Sequence, residues 1–274
     1  MTRSALCFLI GLIVLALPAP SHARQAEEPQ DWILTRVEDR EATVATIDFT
    51  PGQDLVARCV DGVYDLFILD LPEAPRNALT RELGVSIGEG GDVRTTVWTV
   101  GDDRTTAFSR IPAMVARQLA DGGKLQIVVP ASEDQRRTRY VLNLDPSSSA
   151  LEETLTACGR PLVDPRRQEV DGNGQDGLPA GAAWTRAPRP HFPRPVEGRS
   201  PTVGYVVMSC VAQTGGELSE CQIESEQPAG YRLGEAVEKT LDRARVELTP
   251  AGVASGKSLD QRLIIFTVNF MMRR

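Results

Sequence analysis

The sequence is poor in histidine, in aromatic side chains and in positive charge, and each shortage removes a class of function. Two histidines occur in 274 residues, His22 and His191. That is too few for a multi-histidine zinc site, and His22 falls in a segment read below as a removable leader. His191 is then the only histidine left for a Ser-His or Cys-His pair. It stands between Pro190 and Phe192 in a Pro-rich stretch, the setting of an ordinary surface histidine. The chain carries a formal charge of −7, which argues against electrostatic attraction to nucleic acid or anionic lipid. No two cysteines have the short spacing of zinc ligands; the closest pair, Cys210 and Cys221, is separated by ten residues. No tight acidic pair sits in apolar sequence where burial would tune it for acid and base work. Asp102-Asp103 reads as a solvated turn and Glu152-Glu153 as an exposed helix face. The stretch 251–258 nearly matches a phosphate-binding loop, but Ala251 replaces the first glycine and the order is helix, loop, strand, where phosphate binding needs strand, loop, helix. The expectation is a protein without catalytic residues, metal or cofactor, hence not an enzyme.

Long apolar runs are also scarce, and the single one lies at the N-terminus. Arg3, an apolar core over residues 5–17, Pro18 and Ser21-His22-Ala23 match a secretory signal cleaved after Ala23. The core is short of the roughly 20 residues that span a bilayer, so residues 1–23 read as signal peptide and the mature protein as periplasmic. The alternative is an uncleaved inner-membrane anchor holding periplasmic domains, the only route to membrane contact. Cys7 leaves with the signal. Cys59, Cys158, Cys210 and Cys221 remain, an even number in an exported chain, which reads as two disulfides.

Hydrophobic and charged residues make up 41% and 24% of the chain, globular values that imply a buried core. Residues 31–160 show mostly period-two alternation in short runs, as in 42–49, 63–69, 125–129 and 140–144, which predicts an antiparallel sheet or sandwich. Helices are expected at 113–120 and 147–158. A bridge from Cys59 to Cys158 would tie the second helix to a strand at 55–60. Residues 161–195, rich in Gly and Pro, read as a linker. Beyond it, 196–274 forms a small domain: strands at 203–212 and 217–225 around a Gly215-Gly216 hairpin turn, a helix at 231–246 and a strand at 262–271. In a two-residue hairpin Cys210 faces Cys221, Met208 faces Ile223 and Val206 faces Ser225, close enough for a cross-strand disulfide. The fold class is α+β, with a β-rich, sandwich-like N-terminal domain and a β-β-α-β C-terminal domain.

Residues 190–270 resemble the TonB C-terminal domain family. The likeness rests on Pro190-His191-Phe192-Pro193, Gly204-Tyr205-Val206, Val211 followed by Gly215-Gly216 and Leu218, Ser225-Glu226 with Pro228, Ala236, Leu248-Thr249-Pro250, and Phe266, Val268 and Phe270 in alternation. Phe192 departs from the family's usual Tyr and lacks its hydroxyl. The N-terminus also lacks the polar Ser/His pair of the family's transmembrane helix, and a globular domain stands where the family has a spacer. The Cys210/Cys221 pair is similar to that of a disulfide-bearing subgroup. Arg58-Cys59, Trp98, Tyr140-Val141-Leu142 and Ala157-Cys158 resemble VasI-like periplasmic proteins, a likeness that names no chemistry. The first resemblance implies a protein partner, in the family a segment of an outer-membrane transporter, added along the last strand. The residues it points to are Leu263, Ile265, Thr267 and Asn269, on one face of that strand, with Phe192 and Pro193 nearby. Ile264, Phe266, Val268 and Phe270 are expected to be core. Competing expectations are a membrane-anchored energy transducer and an envelope enzyme with its site in the N-terminal domain.

Overall fold

The structure is a computed structural model, and it describes residues 30–49, 52–132, 135–146, 149–166, 178–193 and 201–272. The expected signal at 1–23, the Gly-rich stretch 167–177 of the expected linker and residues 194–200 lie outside them. Among the described residues no helix is long and apolar enough to cross a membrane.

Alternation in the N-terminal part becomes nine strands: β1 (Ile33–Val37), β2 (Ala42–Phe49), β3 (Gln53–Val60), β4 (Val63–Ile68), β5 (Thr80–Ile87), β6 (Arg94–Val100), β7 (Ala107–Ser109), β8 (Gly123–Val129) and β9 (Thr138–Leu144). They hydrogen-bond in one antiparallel sheet of order β1-β2-β3-β4-β7-β6-β5-β8-β9. The ends of this sheet meet, because Gln30 donates from its N–H to Asn143 O at 2.9 Å and accepts from Asp145 N at 2.9 Å. A rolled sheet puts one face of nearly every strand onto a shared core: Ile47, Leu55, Leu66, Leu83, Trp98, Ile127 and Leu142 are all buried there. Two helices complete it. Helix α1 (Pro112–Ala120), opened by a proline at its first turn, lies against β4. Helix α2 (Ser149–Ala157) lies against β2 and β3. Its expected start at 147 falls outside the described residues. The Cys59–Cys158 disulfide joins β3 to the end of α2, and the Tyr64 hydroxyl meets Thr154 Oγ1 at 3.2 Å. Burial pushes the Tyr64 phenol up to about 12.

The C-terminal part contains β11 (Val203–Ala212), β12 (Leu218–Gln227), α3 (Leu233–Leu241) and β14 (Arg262–Met271), the expected β-β-α-β order, with sheet order β12-β11-β14. Val206, Met208, Cys210, Ile264, Phe266 and Phe270 bury one face against Leu233, Val237 and Leu241 of α3. Both strands that flank the last pairing, β11 and β14, have the bounds expected from sequence.

Three local expectations fail. The helix expected to reach residue 246 stops at Leu241, and Arg245–Leu248 is a strand, β13, which is followed by a short helix, α4 (Pro250–Ala254). Period two overrides period three there because β13 finds a partner in β10 (Ala182–Arg186). That partner is the second correction: part of the stretch read as linker is a strand, with Trp184 edge-on to Phe266 at 5.0 Å. The third concerns the hairpin. Gln213 pairs with Glu217 around a three-residue loop, and two register shifts put Val206 opposite Glu226 instead of Ser225. Met208 still faces Ile223, and Cys210 is bonded to Cys221. Only Gly216 of the glycine pair has positive φ, +78°. A side chain there would collide with the Val246 carbonyl, so docking of β13 selects this turn. The phosphate-loop look-alike spans α4 and a turn, then runs into β14, which keeps it a connector.

Candidate protein-binding edge

Strand β14 lies at the margin of the three-stranded sheet, and two hydrogen bonds fix which of its groups face outward. Met272 N donates to Thr202 O at 2.8 Å across β14 and β11, and Gln213 N donates to Glu217 O at 2.9 Å across β11 and β12. In an antiparallel ladder such bonded pairs alternate with unbonded ones. Even-numbered residues of β11 therefore bond to β14 and odd-numbered ones to β12. By the β11–β14 register, Ile264, Phe266, Val268 and Phe270 turn their main chain inward, while Leu263, Ile265, Thr267, Asn269 and Met271 turn theirs to the open edge.

Burial divides that edge in two. Leu263 and Ile265 are 2% and 3% exposed, so two of the residues expected to meet a partner are enclosed. Thr267 is half-buried, while Asn269 and Met271 are exposed. The accessible stretch is Thr267 to Met271. Phe192 packs edge-on against Phe270 at 5.2 Å, so Phe192 and Pro193 sit beside this stretch, both half-buried. His191 next to them is exposed. Met271 at 76%, Met272 and Val203 add exposed apolar surface at the same end of the ladder.

The sheet face carrying the odd-numbered residues is turned to the N-terminal part. The Tyr205 hydroxyl bonds Thr99 Oγ1 of β6, and the Arg110 guanidinium stacks 4.2 Å from the centre of the Tyr205 ring. Burial raises the Tyr205 phenol above its ordinary range. Arg110 also donates to Thr267 Oγ1 at 3.3 Å, and its carbonyl accepts from Ser225 Oγ at 2.8 Å.

The opposite margin, β12, is partly covered by side chains. Ile223, opposite Met208, turns its carbonyl outward, where Arg160 Nη2 donates to it; the Glu220 carbonyl, at a bulge, accepts from Arg166 Nη1 at 2.9 Å, an atom that also donates to Ser209 O of β11 at 3.3 Å over the sheet face. These two arginines belong to a buried charge cluster. Arg166 Nη2 pairs with Asp164 Oδ2 at 2.8 Å, Arg117 Nη1 with Asp164 Oδ2 at 3.2 Å, and Arg160 Nη1 with Glu224 Oε2 at 3.5 Å. Ser209 Oγ links Arg166 to Glu224, accepting at 3.0 Å and donating at 2.5 Å. The Asp164 carboxyl is held below its ordinary range: burial opposes ionisation, but Arg166 hydrogen bonds and the Arg166 and Arg117 charges outweigh it. None of these residues was singled out from sequence, since Asp164 and Arg166 fall in the stretch read as linker and a lone arginine carries no periodic signal.

No protein-family model, no curated protein and no solved structure matches this chain.

Proposed function

We propose that this chain is an exported protein-binding protein of the cell envelope, whose C-terminal sheet receives an extended partner segment along Thr267–Met271. One observation carries the reading: at this margin the main chains of Thr267 and Asn269 face outward with no hydrogen-bond partner among the described residues, while two carbonyls of β12 are taken by arginines. An added strand would complete the ladder, with main-chain bonds supplying affinity and neighbouring side chains supplying register. The resemblance of residues 190–270 to TonB C-terminal domains supports this and suggests a segment of an outer-membrane transporter as the partner. Two disulfides support an oxidising compartment, the periplasm if the signal is cleaved after Ala23.

Proline substitution tests the reading, because it deletes one N–H and little else at an edge. Thr267→Pro and Asn269→Pro should stay folded by circular dichroism and lose capture of crosslinked envelope partners, whereas Thr267→Ala keeps it. Val268→Pro removes an inward N–H and should damage the sheet itself. Full capture by folded Thr267→Pro and Asn269→Pro proteins would exclude strand addition here.

A further inference from the structure

The odd-numbered face of the C-terminal sheet is covered over only part of its length. Val207, Ser209, Val211, Leu263 and Ile265 are at most 3% exposed, whereas Val203 and Met271, a cross-strand pair at the far end, stand at 43% and 76%. Tyr205 and Thr267 lie between them, both half-buried. The cover therefore ends beside the accessible stretch of β14, and Arg110 of the N-terminal part makes its contacts there.

Local sequence brings Arg110 to that position. Ser109 ends β7, its Oγ accepts the Ile111 N–H at 3.3 Å in a serine turn, and Pro112 then opens α1. Arg110 sits in this bend, 5% exposed, and reaches every strand of the sheet. Its Nη2 donates to Thr267 Oγ1 of β14 at 3.3 Å, its guanidinium stacks over the Tyr205 ring of β11, and its carbonyl accepts from Ser225 Oγ of β12 at 2.8 Å. Thr267 and Ser225 both lie opposite Val207, so the three form one row across the sheet on a common face. Arg110 is bonded to both ends of that row.

We propose that Arg110 is a positioning residue for the β14 edge: by clamping the row of Thr267, Val207 and Ser225 it holds Thr267–Met271 in strand register and makes the N-terminal part a component of the partner-binding site. The proposal rests on the reading of that stretch as a receiving edge. A strand end bonded on one side only frays readily, and ordering it during association would cost affinity. A charge-assisted bond at Thr267, where the cover ends, keeps the edge ordered beforehand.

The test is amide hydrogen exchange in the full chain with no partner present. Val268 and Phe270 turn their N–H groups inward to β11 on the open side of the row, and Ile264 and Phe266 do so on the covered side. Arg110→Met keeps an apolar stem over Tyr205 and removes the donors. It should lower protection of Val268 and Phe270 at least about tenfold relative to Ile264 and Phe266. Thr267→Val removes only the hydroxyl and should lower the same ratio about threefold or more. The double variant should lose no more than Arg110→Met does, because both changes break one contact. Arg110→Lys should lie nearer to the unmodified protein than Arg110→Met. Should Arg110→Met fail to fold, Thr267→Val decides, with Arg110 intact. An arginine that merely stabilises the fold would lower protection evenly along β14. An even loss, an unchanged ratio or additive losses would overturn the clamp. Failure of the receiving-edge reading is a separate result, full capture by folded Thr267→Pro and Asn269→Pro proteins, and the exchange ratio does not depend on it.

Discussion

The two margins of the C-terminal sheet have opposite chemistry. Along β12 the carbonyl of Glu220, at a bulge, and the outward carbonyl of Ile223 are taken by Arg166 and Arg160, and the arginines are neutralised in turn by Asp164 and Glu224. Along β14 the outward groups of Thr267 and Asn269 meet nothing among the described residues. An uncapped edge invites pairing with another chain. A fold that sets a buried charge network against β12 and leaves β14 without a main-chain partner among the described residues favours strand addition at β14, and this asymmetry supports the proposed function better than any individual side chain of β14 does.

The contrast can be broken most severely at Arg166. Its side chain is 3% exposed, and Arg166→Ala would strand the Asp164 and Glu224 carboxylates in a buried site. The expected loss is about 3 to 5 kcal/mol, read as a lowered midpoint in urea unfolding monitored by circular dichroism. A loss within roughly 0.5 kcal/mol would mean that the capped edge is not held by charge.

Acid should weaken the same margin by a smaller amount. The Asp164 carboxyl titrates lower in the folded protein than in the unfolded chain, so its contribution is present above the unfolded value of 3.8 and is lost as pH falls through the depressed folded value. Unfolding midpoints should therefore decline below about pH 4, and Arg166→Ala should flatten that decline. An identical acid profile in the variant would detach Asp164 from the network.

Ser209 gives a finer cut, since Ser209→Ala leaves every charge in place and removes the hydroxyl that links Arg166 to Glu224. A cost of about 1 to 3 kcal/mol is expected, because Glu224 loses a partner in a buried site. At the open margin Asn269→Ala should change stability by no more than about 0.5 kcal/mol. Equal costs for Ser209→Ala and Asn269→Ala would erase the difference between the edges.

Much of the fold was legible in the sequence where local physics decides it. The bounds of β11 and β14 follow from alternation over ten residues, and the proximity of Cys210 to Cys221 follows from any tight turn near Gly215-Gly216. The turn itself was misread, because a three-residue loop selected by β13 differs from a two-residue loop by one register step. Residues 182–186 and 245–248 were missed as strands for a related reason: each is four or five residues long and becomes a strand only by pairing with the other. In the candidate site, the face shared by Leu263, Ile265, Thr267 and Asn269 was readable from period two. The burial of the first pair and the exposure of Asn269 were not.

The sequence by itself determined the periodic elements, the number and pairing distance of the cysteines beyond residue 23, and the scarcity of histidine and net positive charge, because each depends on neighbours within a few residues or on composition alone. Tertiary structure decided which strand of the C-terminal sheet meets arginines and which has no main-chain partner among the described residues. Those outcomes rest on whether a guanidinium at 160 or 166 reaches a carbonyl at 220 or 223. Hydrogen bonds and ion pairs form over a few ångströms of space, whatever the separation along the chain, and no local pattern encodes that meeting.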